Sequence, residues 1–254
     1  MNHQRLFAVM IAVAASAHLA FAQQTTLKVK ASITLSSNSD GFEGRLELLE
    51  DSRITSDLEN VLWQSGGPDM ALDEKDPRYK RLTVIPLQNA VLRLLDNHSR
   101  LIQEMKLERE QARIHTEQLI PGHRTILVTT DLSAGFGSYS GPSTEMIDIS
   151  HGKIDVVSAR DSKSGRLTPI YLASTLKTAW ELVPSTRLGP LKDILEIACR
   201  PNDDASKFYV TYTRYFWNGS EWVESSRRVL GFWEADSKFP PTERFPKGMM
   251  GLAK

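Results

Sequence analysis

The chain has 254 residues, of which 41% are hydrophobic and 24% are charged, a composition that is typical of a globular protein and excludes a disordered or fibrous one. Basic and acidic residues number 31 each, so the formal net charge is zero. This balance argues against nucleic acid or an anionic membrane surface as the main partner, because both need a clustered positive surface.

Residues 1–22 predict a secretory signal peptide. Arg5 precedes an apolar run over residues 6–17, and Ala20-Phe21-Ala22 forms a small-x-small cleavage site before Gln23. The apolar run has about 12 residues, fewer than the roughly 20 that span a bilayer. We therefore expect export to the periplasm or the extracellular space, with no stable membrane insertion after cleavage. An uncleaved membrane anchor is the alternative.

Residues 23–254 are predicted to form a single β-rich domain, with a possible subdivision near residue 120. Alternating apolar and polar residues predict strands over Thr26–Ser36 and Arg45–Glu50. Thr55 then precedes apolar residues at helical spacing, which predicts a short capped helix that ends before Gly66. A charged loop is expected over residues 66–81.

The segment Pro86–Leu119 has two interpretations. Apolar residues at spacings of three and four are compatible with one long helix near 86–118, which would make the protein α+β. Alternatively, Ala90–Leu95 and Arg100–Leu107 are strands that flank the polar tetrapeptide Asp96-Asn97-His98-Ser99, and Ala112–Leu119 is a third. Four consecutive turn-forming residues are unusual within a helix, and this favours the β interpretation.

Short apolar segments continue to the end of the chain and are separated by turn signals. The predicted strands are Thr125–Thr130, Thr144–Ile149, Lys153–Arg160, Leu167–Leu172 and Leu191–Cys199. Ser174–Leu182 is expected to be a short helix that begins at a Ser/Thr cap. The predicted fold is mainly β, an antiparallel meander that forms a sandwich or a barrel with one or two short helices.

The clearest local signal is a long β-hairpin over Lys207–Val229 that turns at Asn218-Gly219. Asn and Gly tolerate the positive φ angles of tight hairpin turns. A two-residue loop would place Trp217 opposite Ser220, whereas a four-residue loop would place it opposite Trp222. In both registers Tyr215, Trp217 and Trp222 share one face and Phe208, Val210, Phe216 and Val223 the other, so we expect a central hairpin that is covered on at least part of each side.

The end of the chain from about residue 235 is rich in proline and is expected to run over the body as extended segments held by Phe239 and Phe245. Cys199 is the only cysteine, so no intrachain disulfide can form. It follows an apolar run, and we expect it to be a buried small hydrophobe at the end of a strand.

Two sets of residues are candidates for binding. If one hairpin face is open, its aromatic residues could stack on sugars or an extended chain; otherwise they belong to the core. This set is Tyr215, Trp217, Trp222 and Trp233. The second set lies in a Gly/Ser-rich loop, which is either a binding loop or a plain hairpin connection, and its members are Asp131, Ser138, Tyr139 and Ser140.

No sequence motif nominates a catalytic centre. The glycines at 135, 137 and 141 do not match the dinucleotide-binding spacing, and Tyr139 stands where a nucleophile elbow needs serine. The four histidines after residue 22 lack zinc-site spacing, so no metal and no cofactor are expected.

The sequence therefore leads to two hypotheses on function. The first is an exported, non-enzymatic β-rich protein that binds another protein or an envelope or glycan ligand. The second is an extracellular hydrolase or carbohydrate-processing protein, whose acidic side chains would converge in a pocket next to Trp217 or Trp222.

Overall fold

A computed structural model describes residues 26–36, 42–59, 73, 75–77, 86–121, 123–130, 138–185 and 191–248. These residues form fifteen strands and one 3-10 turn, so the prediction of a mainly β protein is confirmed. The strands are β1 (Leu27–Leu35), β2 (Gly44–Asp51), β3 (Val91–Asp96), β4 (Leu101–Lys106), β5 (Ala112–Ile120), β6 (His123–Thr130), β7 (Ser143–Ser150), β8 (Lys153–Val156), β9 (Ser158–Asp161), β10 (Leu167–Pro169), β11 (Tyr171–Ala173), β12 (Thr178–Pro184), β13 (Lys192–Pro201), β14 (Phe208–Trp217) and β15 (Trp222–Leu230).

The strands form three sheets. Sheet A has the order β1-β2-β3-β4, and sheet B has the order β11-β7-β6-β5 with β8 also paired to β7. Sheet C has the order β10-β9-β15-β14-β13-β12. Its β9–β15 pair is parallel, whereas its other pairs are antiparallel.

The sheets stack in layers with sheet B in the middle. Ile126 and Val128 pack with residues of sheet A, whereas Leu127 between them packs with residues of sheet C, because side chains alternate along a strand. The opposite face of sheet C forms a third core with the C-terminal segment, in which Cys199 and Phe245 are buried. This layering is consistent with a β-sandwich, and the predicted burial of Cys199 is confirmed.

The predicted long hairpin is present as β14 and β15. Its register is that of the four-residue loop, with Trp217 opposite Trp222. Val210 and Tyr212 lie in the third core, whereas Tyr215 and Trp222 lie in the core between sheets B and C. Strand β14 of the hairpin is therefore central in sheet C and covered on both sides, whereas β15 is exposed from Arg227 to Leu230.

The β interpretation of the segment 86–119 is correct. Strands β3 and β4 are joined at the predicted polar turn, where Asp96 Oδ1 accepts hydrogen bonds from the amides of His98 at 2.9 Å and Arg100 at 2.8 Å. Ser99 has a φ of 61°, a conformation that a helix excludes. The polar turn therefore excludes the long helix that the spacing of apolar residues allowed.

The predicted helix over Ser174–Leu182 is wrong. Thr175 and Thr178 form a β-bridge, and the Thr175 hydroxyl accepts a hydrogen bond from the Lys177 amide at 3.0 Å, so the threonine stabilises a tight turn rather than a helix end. The chain continues as β12, which pairs with β13. Ser and Thr side-chain oxygens accept hydrogen bonds in turns as well as at helix ends. Here the pairing of β12 with β13 favours the turn.

The helix predicted after Thr55 is described only at residues 56–59, where the Thr55 carbonyl accepts hydrogen bonds from Leu58 at 2.9 Å and Glu59 at 3.0 Å. The remainder of that helix, most of the predicted loop 66–81 and the predicted signal peptide lie outside the described residues. Within the part of the chain that the structure describes, no helix is long and apolar enough to cross a membrane.

The proline-rich C-terminal segment covers the outer face of sheet C, as predicted. Phe245 is 2% exposed and stacks on Phe239 with ring centroids 5.6 Å apart. Its ring also meets Tyr212 of β14 edge-on at 5.4 Å. These contacts hold the segment against the sheet although its prolines cannot donate backbone hydrogen bonds.

Candidate functional site

A surface groove lies where the chain passes from sheet B to sheet C. Val157 marks this passage, because its amide donates to Met146 of β7 at 2.8 Å and its carbonyl accepts from Ile170 at 2.9 Å. The groove has a volume of about 290 Å³. We call it the Trp217 groove, and its lining residues are Ile120, Asp148, Asp155, Val156, Val157, Ser158, Trp217, Ser220, Glu221 and Trp222.

The hairpin turn fixes the aromatic side of the groove. Asn218 Oδ1 accepts hydrogen bonds from the amides of Ser220 and Glu221, both at 2.9 Å, and from the Ser220 hydroxyl at 3.0 Å. Gly219 has a φ of 110°, which a residue with a side chain rarely adopts. The turn therefore holds Trp217 at the end of β14.

The two indole rings meet edge to face. The ring centroids of Trp217 and Trp222 are 6.3 Å apart at an interplanar angle of 67°. Trp222 is only 2% exposed and belongs to the core between sheets B and C, whereas Trp217 is half-buried. Trp217 is thus partly accessible to solvent, and its ring packs against the buried Trp222.

The opposite side of the groove carries two carboxylates from the β7–β8 hairpin. This hairpin turns at His151-Gly152, where φ is 51° and 72°, and its register places Asp148 directly opposite Asp155. Like charges at such positions destabilise a hairpin unless other groups compensate them. Lys153 forms an ion pair with Asp155, and Asp148 accepts a hydrogen bond from the Ile149 amide at 2.9 Å.

A third carboxylate comes from the hairpin turn. Glu221 accepts hydrogen bonds from Arg160 Nε at 2.9 and 3.0 Å, and this pair ties the turn to β9. Arg160 is further held by the Gly165 carbonyl at 2.9 Å. Among the described residues that line the groove, the three ionisable ones are all acidic, and the basic residues Lys153 and Arg160 that pair with Asp155 and Glu221 stand outside the lining. The arrangement therefore offers an aromatic surface and several hydrogen-bond acceptors.

The predicted aromatic set does not form one surface. Trp217 and Trp222 line the groove, but Tyr215 is 8% exposed and lies in the core beneath it. Trp233 is on the opposite face of sheet C, where it is 8% exposed in the third core. The structure thus brings together two of the four residues and separates Trp233 from them.

The second predicted set lies elsewhere. The Ser138 carbonyl accepts a hydrogen bond from the Lys177 amide at 3.1 Å, and the Tyr139 ring, 42% exposed, lies 5.6 Å from the guanidinium of Arg200. Arg200 is near the end of β13 that pairs with Tyr209, far along the sheet from Trp217. Ser140 is half-buried in the same stretch, and Asp131 is outside the described residues.

A cluster of titratable side chains lies inside sheet C. The Tyr215 hydroxyl donates to Glu196 Oε2 at 3.4 Å, and Glu224 is directly opposite Tyr215 on β15. Burial and the neighbouring charge of Glu224 raise the pKa of Glu196 to about 7. Burial, and then the charge of Asp161, raise the pKa of Glu224. Burial and both carboxyls raise the pKa of Tyr215. Neither glutamate lines the Trp217 groove.

Within the described ranges, no three His, Cys, Asp or Glu side chains are grouped so that they could hold a metal ion. The three carboxylates of the Trp217 groove are thus arranged as separate hydrogen-bond acceptors.

Sequence reasoning did not single out Asp148, Asp155 or Glu221. The His151-Gly152 turn signal is visible in the sequence and could have paired the two aspartates. Their approach to Trp217 depends on the passage of the chain between sheets at Val157, which no local pattern encodes.

Comparison of the chain with models of protein families, with curated proteins and with solved structures finds no match. The functional conclusion therefore rests on the chemistry of the Trp217 groove.

Proposed function

We propose that the protein is an exported, non-enzymatic binding protein whose Trp217 groove holds a saccharide unit of an envelope or extracellular glycan. The observation that carries the proposal is the convergence of a half-buried indole, Trp217, with Asp148, Asp155 and Glu221 on one small groove. An indole face offers a rigid apolar surface for stacking, and carboxylates accept hydrogen bonds from hydroxyl groups.

The size and polarity of the groove favour a short part of a glycan. Small-molecule sites usually have volumes of about 300–1,000 Å³, and the groove is at the lower end of that range at about 290 Å³. Its ionisable lining is acidic, so amino or neutral sugars fit it better than uronic acids, whose carboxylates would be repelled.

The test is tryptophan emission of the purified protein, titrated with neutral, amino and uronic-acid oligosaccharides. We expect neutral or amino sugars to shift the emission and uronic acids to bind more weakly. Trp217→Phe should remove most of the shift, whereas Trp233→Phe, on the other face of sheet C, should retain it. No shift with any class, or the same shift in Trp217→Phe, would contradict the proposal.

Export is supported by the pattern of residues 1–22. Mass spectrometry of protein from the extracytoplasmic fraction should find Gln23 as the first residue. Protein that retains Met1 and stays in the cytoplasm would show that this part of the proposal is wrong.

Hydrolysis of a glycosidic bond is the second candidate, and the register of β7 and β8 favours it. Asp148 and Asp155 are paired directly opposite each other, and because Cβ atoms at such positions are generally about 4.5–5.5 Å apart, their carboxyl groups can lie at a similar separation. Carboxyl groups of retaining glycosidases lie about 5–5.5 Å apart. Release of reducing ends that is lost in both Asp148→Asn and Asp155→Asn would establish hydrolysis, whereas binding without release supports the first proposal.

A further inference from the structure

Half of strand β15 is an open sheet edge. The parallel partner β9 covers only Trp222–Glu224, and beyond it the Lys163 ammonium donates to the Ser226 carbonyl at 2.8 Å. From Arg227 to Leu230 the strand pairs with β14 alone among the described residues. We call this stretch the β15 edge.

The directions in which the backbone amides and carbonyls of this edge point follow from the hydrogen bonds of the residues on either side of it. The Ser226 carbonyl points away from β14 to Lys163, and the Gly231 amide points towards β14, where it donates to the Phe208 carbonyl at 3.0 Å. Backbone groups alternate along an antiparallel strand, so the amides and carbonyls of Arg228 and Leu230 point outward. Unpaired outward groups of this kind are a template for another strand.

The side chains of the edge are both apolar and basic. Val229 is 40% exposed, Leu230 is 64% exposed and the nearby Phe232 is 57% exposed. Arg227 stacks on Tyr212 at 5.4 Å, and Arg228 stacks on Tyr209 at 4.1 Å, on the two faces of the sheet. These ring contacts hold the two guanidinium groups beside the edge.

A surface pocket of about 360 Å³ adjoins the edge on the Arg228 side. It is lined by Asn202, Asp203, Tyr209 and Arg228. Asp203 is the one acidic residue among the described lining residues, which otherwise supply an aromatic ring, an amide and a guanidinium. A side chain of a docked strand that points to this face would enter the pocket, because alternate residues of a strand share a face.

We propose that the β15 edge binds an extended, acidic segment of another protein as an added strand. The segment's backbone pairs with Arg228 and Leu230, its apolar side chains cover Val229 and Phe232 on one face, and its carboxylates meet Arg228 on the other face. Pairing of two copies of this edge would bring the arginines of both copies together, and like charges across a ladder are destabilising. Charge complementarity therefore selects an acidic partner over a second copy.

The experiment uses amide-capped peptides of about eight residues, a common strand length. One alternates Val and Glu, one alternates Val and Lys, and the third is the Val/Glu peptide with alternate backbone amides methylated. Binding is measured by anisotropy of a labelled peptide. We expect the Val/Glu peptide to bind at least about tenfold more tightly than the other two, and the affinity to fall with added salt.

Variants and hydrogen exchange locate the site. Arg227→Glu with Arg228→Glu should abolish binding of the Val/Glu peptide and leave the melting temperature nearly unchanged, whereas Arg124→Glu, at an exposed position of β6 in sheet B, should retain binding. The peptide should also slow exchange at the Arg228 and Leu230 amides.

Four outcomes would overturn the proposal. Equally tight binding of the peptide with methylated amides and of its parent would exclude strand addition. Equally tight binding of the Val/Lys and Val/Glu peptides would exclude a role of charge. Protection of both amides in the protein alone would show that the chain covers its own edge. A dimer that the two arginine substitutions dissociate would identify a second copy as the occupant.

Discussion

The Tyr215 hydroxyl donates a hydrogen bond to Glu196 Oε2 at 3.4 Å across strands β13 and β14. Cross-strand pairing places Glu196 opposite Thr213, so the bond is diagonal along the sheet face that packs towards sheet B. Glu224 lies directly opposite Tyr215 and adds a second carboxyl to the same buried patch. We therefore expect the stability of sheet C to depend on pH near neutrality.

The pKa of Glu196 predicts the direction of that sensitivity. Burial raises it from 4.5 to about 7, so between these values the native state holds a proton that the unfolded state has lost. Stability from this group is fully present below pH 4.5 and is lost as the pH rises to about 7. Each unit of pKa difference corresponds to about 1.4 kcal/mol, so the loss by pH 7 is about 3 kcal/mol.

Glu196→Gln tests this prediction, because glutamine keeps an acceptor for Tyr215 and does not ionise. Urea unfolding at pH 5 and pH 7.5 should show a smaller fall in the free energy of unfolding for the variant than for the wild type. Glu234→Gln, at an ion pair with Lys177 outside this patch, is the control. A wild type whose stability is unchanged or rises across this interval would contradict the assignment.

Arg214 and Asp193 form an ion pair on the face of sheet C that packs against the C-terminal segment. Arg214 Nε lies 3.6 Å from Asp193 Oδ2, and the residues are 8% and 3% exposed. Arg214→Met leaves Asp193 as a buried carboxylate without this partner, and we expect a loss of about 3 kcal/mol in the free energy of unfolding. Chemical denaturation measures it. Combining Arg214→Met with Asp193→Leu should recover most of the loss; if it does not, the destabilisation came from packing.

Phe245 anchors the C-terminal segment between Phe239 and Tyr212. Phe245→Ala should reduce the free energy of unfolding by about 3 kcal/mol, since the ring is almost fully buried. Limited proteolysis should then cleave the chain after residue 235 more rapidly. Phe232→Ala, at a ring that is 57% exposed, is the matched control and should cost much less. Equal costs for the two substitutions would show that the segment is not anchored there.

The Asn218 turn should affect ligand affinity as well as stability. Asn218→Ala removes the acceptor of three hydrogen bonds and should cost about 1 to 2 kcal/mol while it loosens Trp217. Asn202→Ala is the matched control, because Asn202 Oδ1 accepts from the Lys207 amide at 2.9 Å in a turn away from the groove. Calorimetric titration should show weaker saccharide binding only for Asn218→Ala. Equal affinities for both variants would exclude a role of the turn in binding.

Local turn chemistry predicted much of the fold. The tetrapeptide at Asp96 and the Asn218-Gly219 pair define hairpins through side-chain acceptors and positive φ angles, which depend on neighbouring residues alone. The alternation of side chains along β14 predicted which residues lie on each of its two faces. Thr175 shows the limit of such reasoning, because its oxygen could start a helix or close a turn, and pairing with β13 decides between them.

Contacts between distant segments could not be predicted in this way. The stacking of three sheets and the parallel pairing of β9 with β15 join segments about 60 residues apart, and no local pattern specifies them. The Trp217 groove could not be predicted either, because Asp148 and Asp155 line the same groove as Trp217 only where the chain changes sheets at Val157. Trp217 was predictable as a candidate, whereas the carboxylates beside it were not.

The affinity of the best-binding oligosaccharide for wild type, Trp217→Ala and Trp180→Ala tests the central claim most directly. Trp180 is a half-buried indole on the edge strand β12 and does not line the groove, so it controls for the loss of a tryptophan. The account predicts that Trp217→Ala weakens binding by about tenfold or more, equivalent to about 1.4 kcal/mol, and that Trp180→Ala does not. Equal affinity of wild type and Trp217→Ala for a saccharide that binds would place the ligand elsewhere and contradict the account.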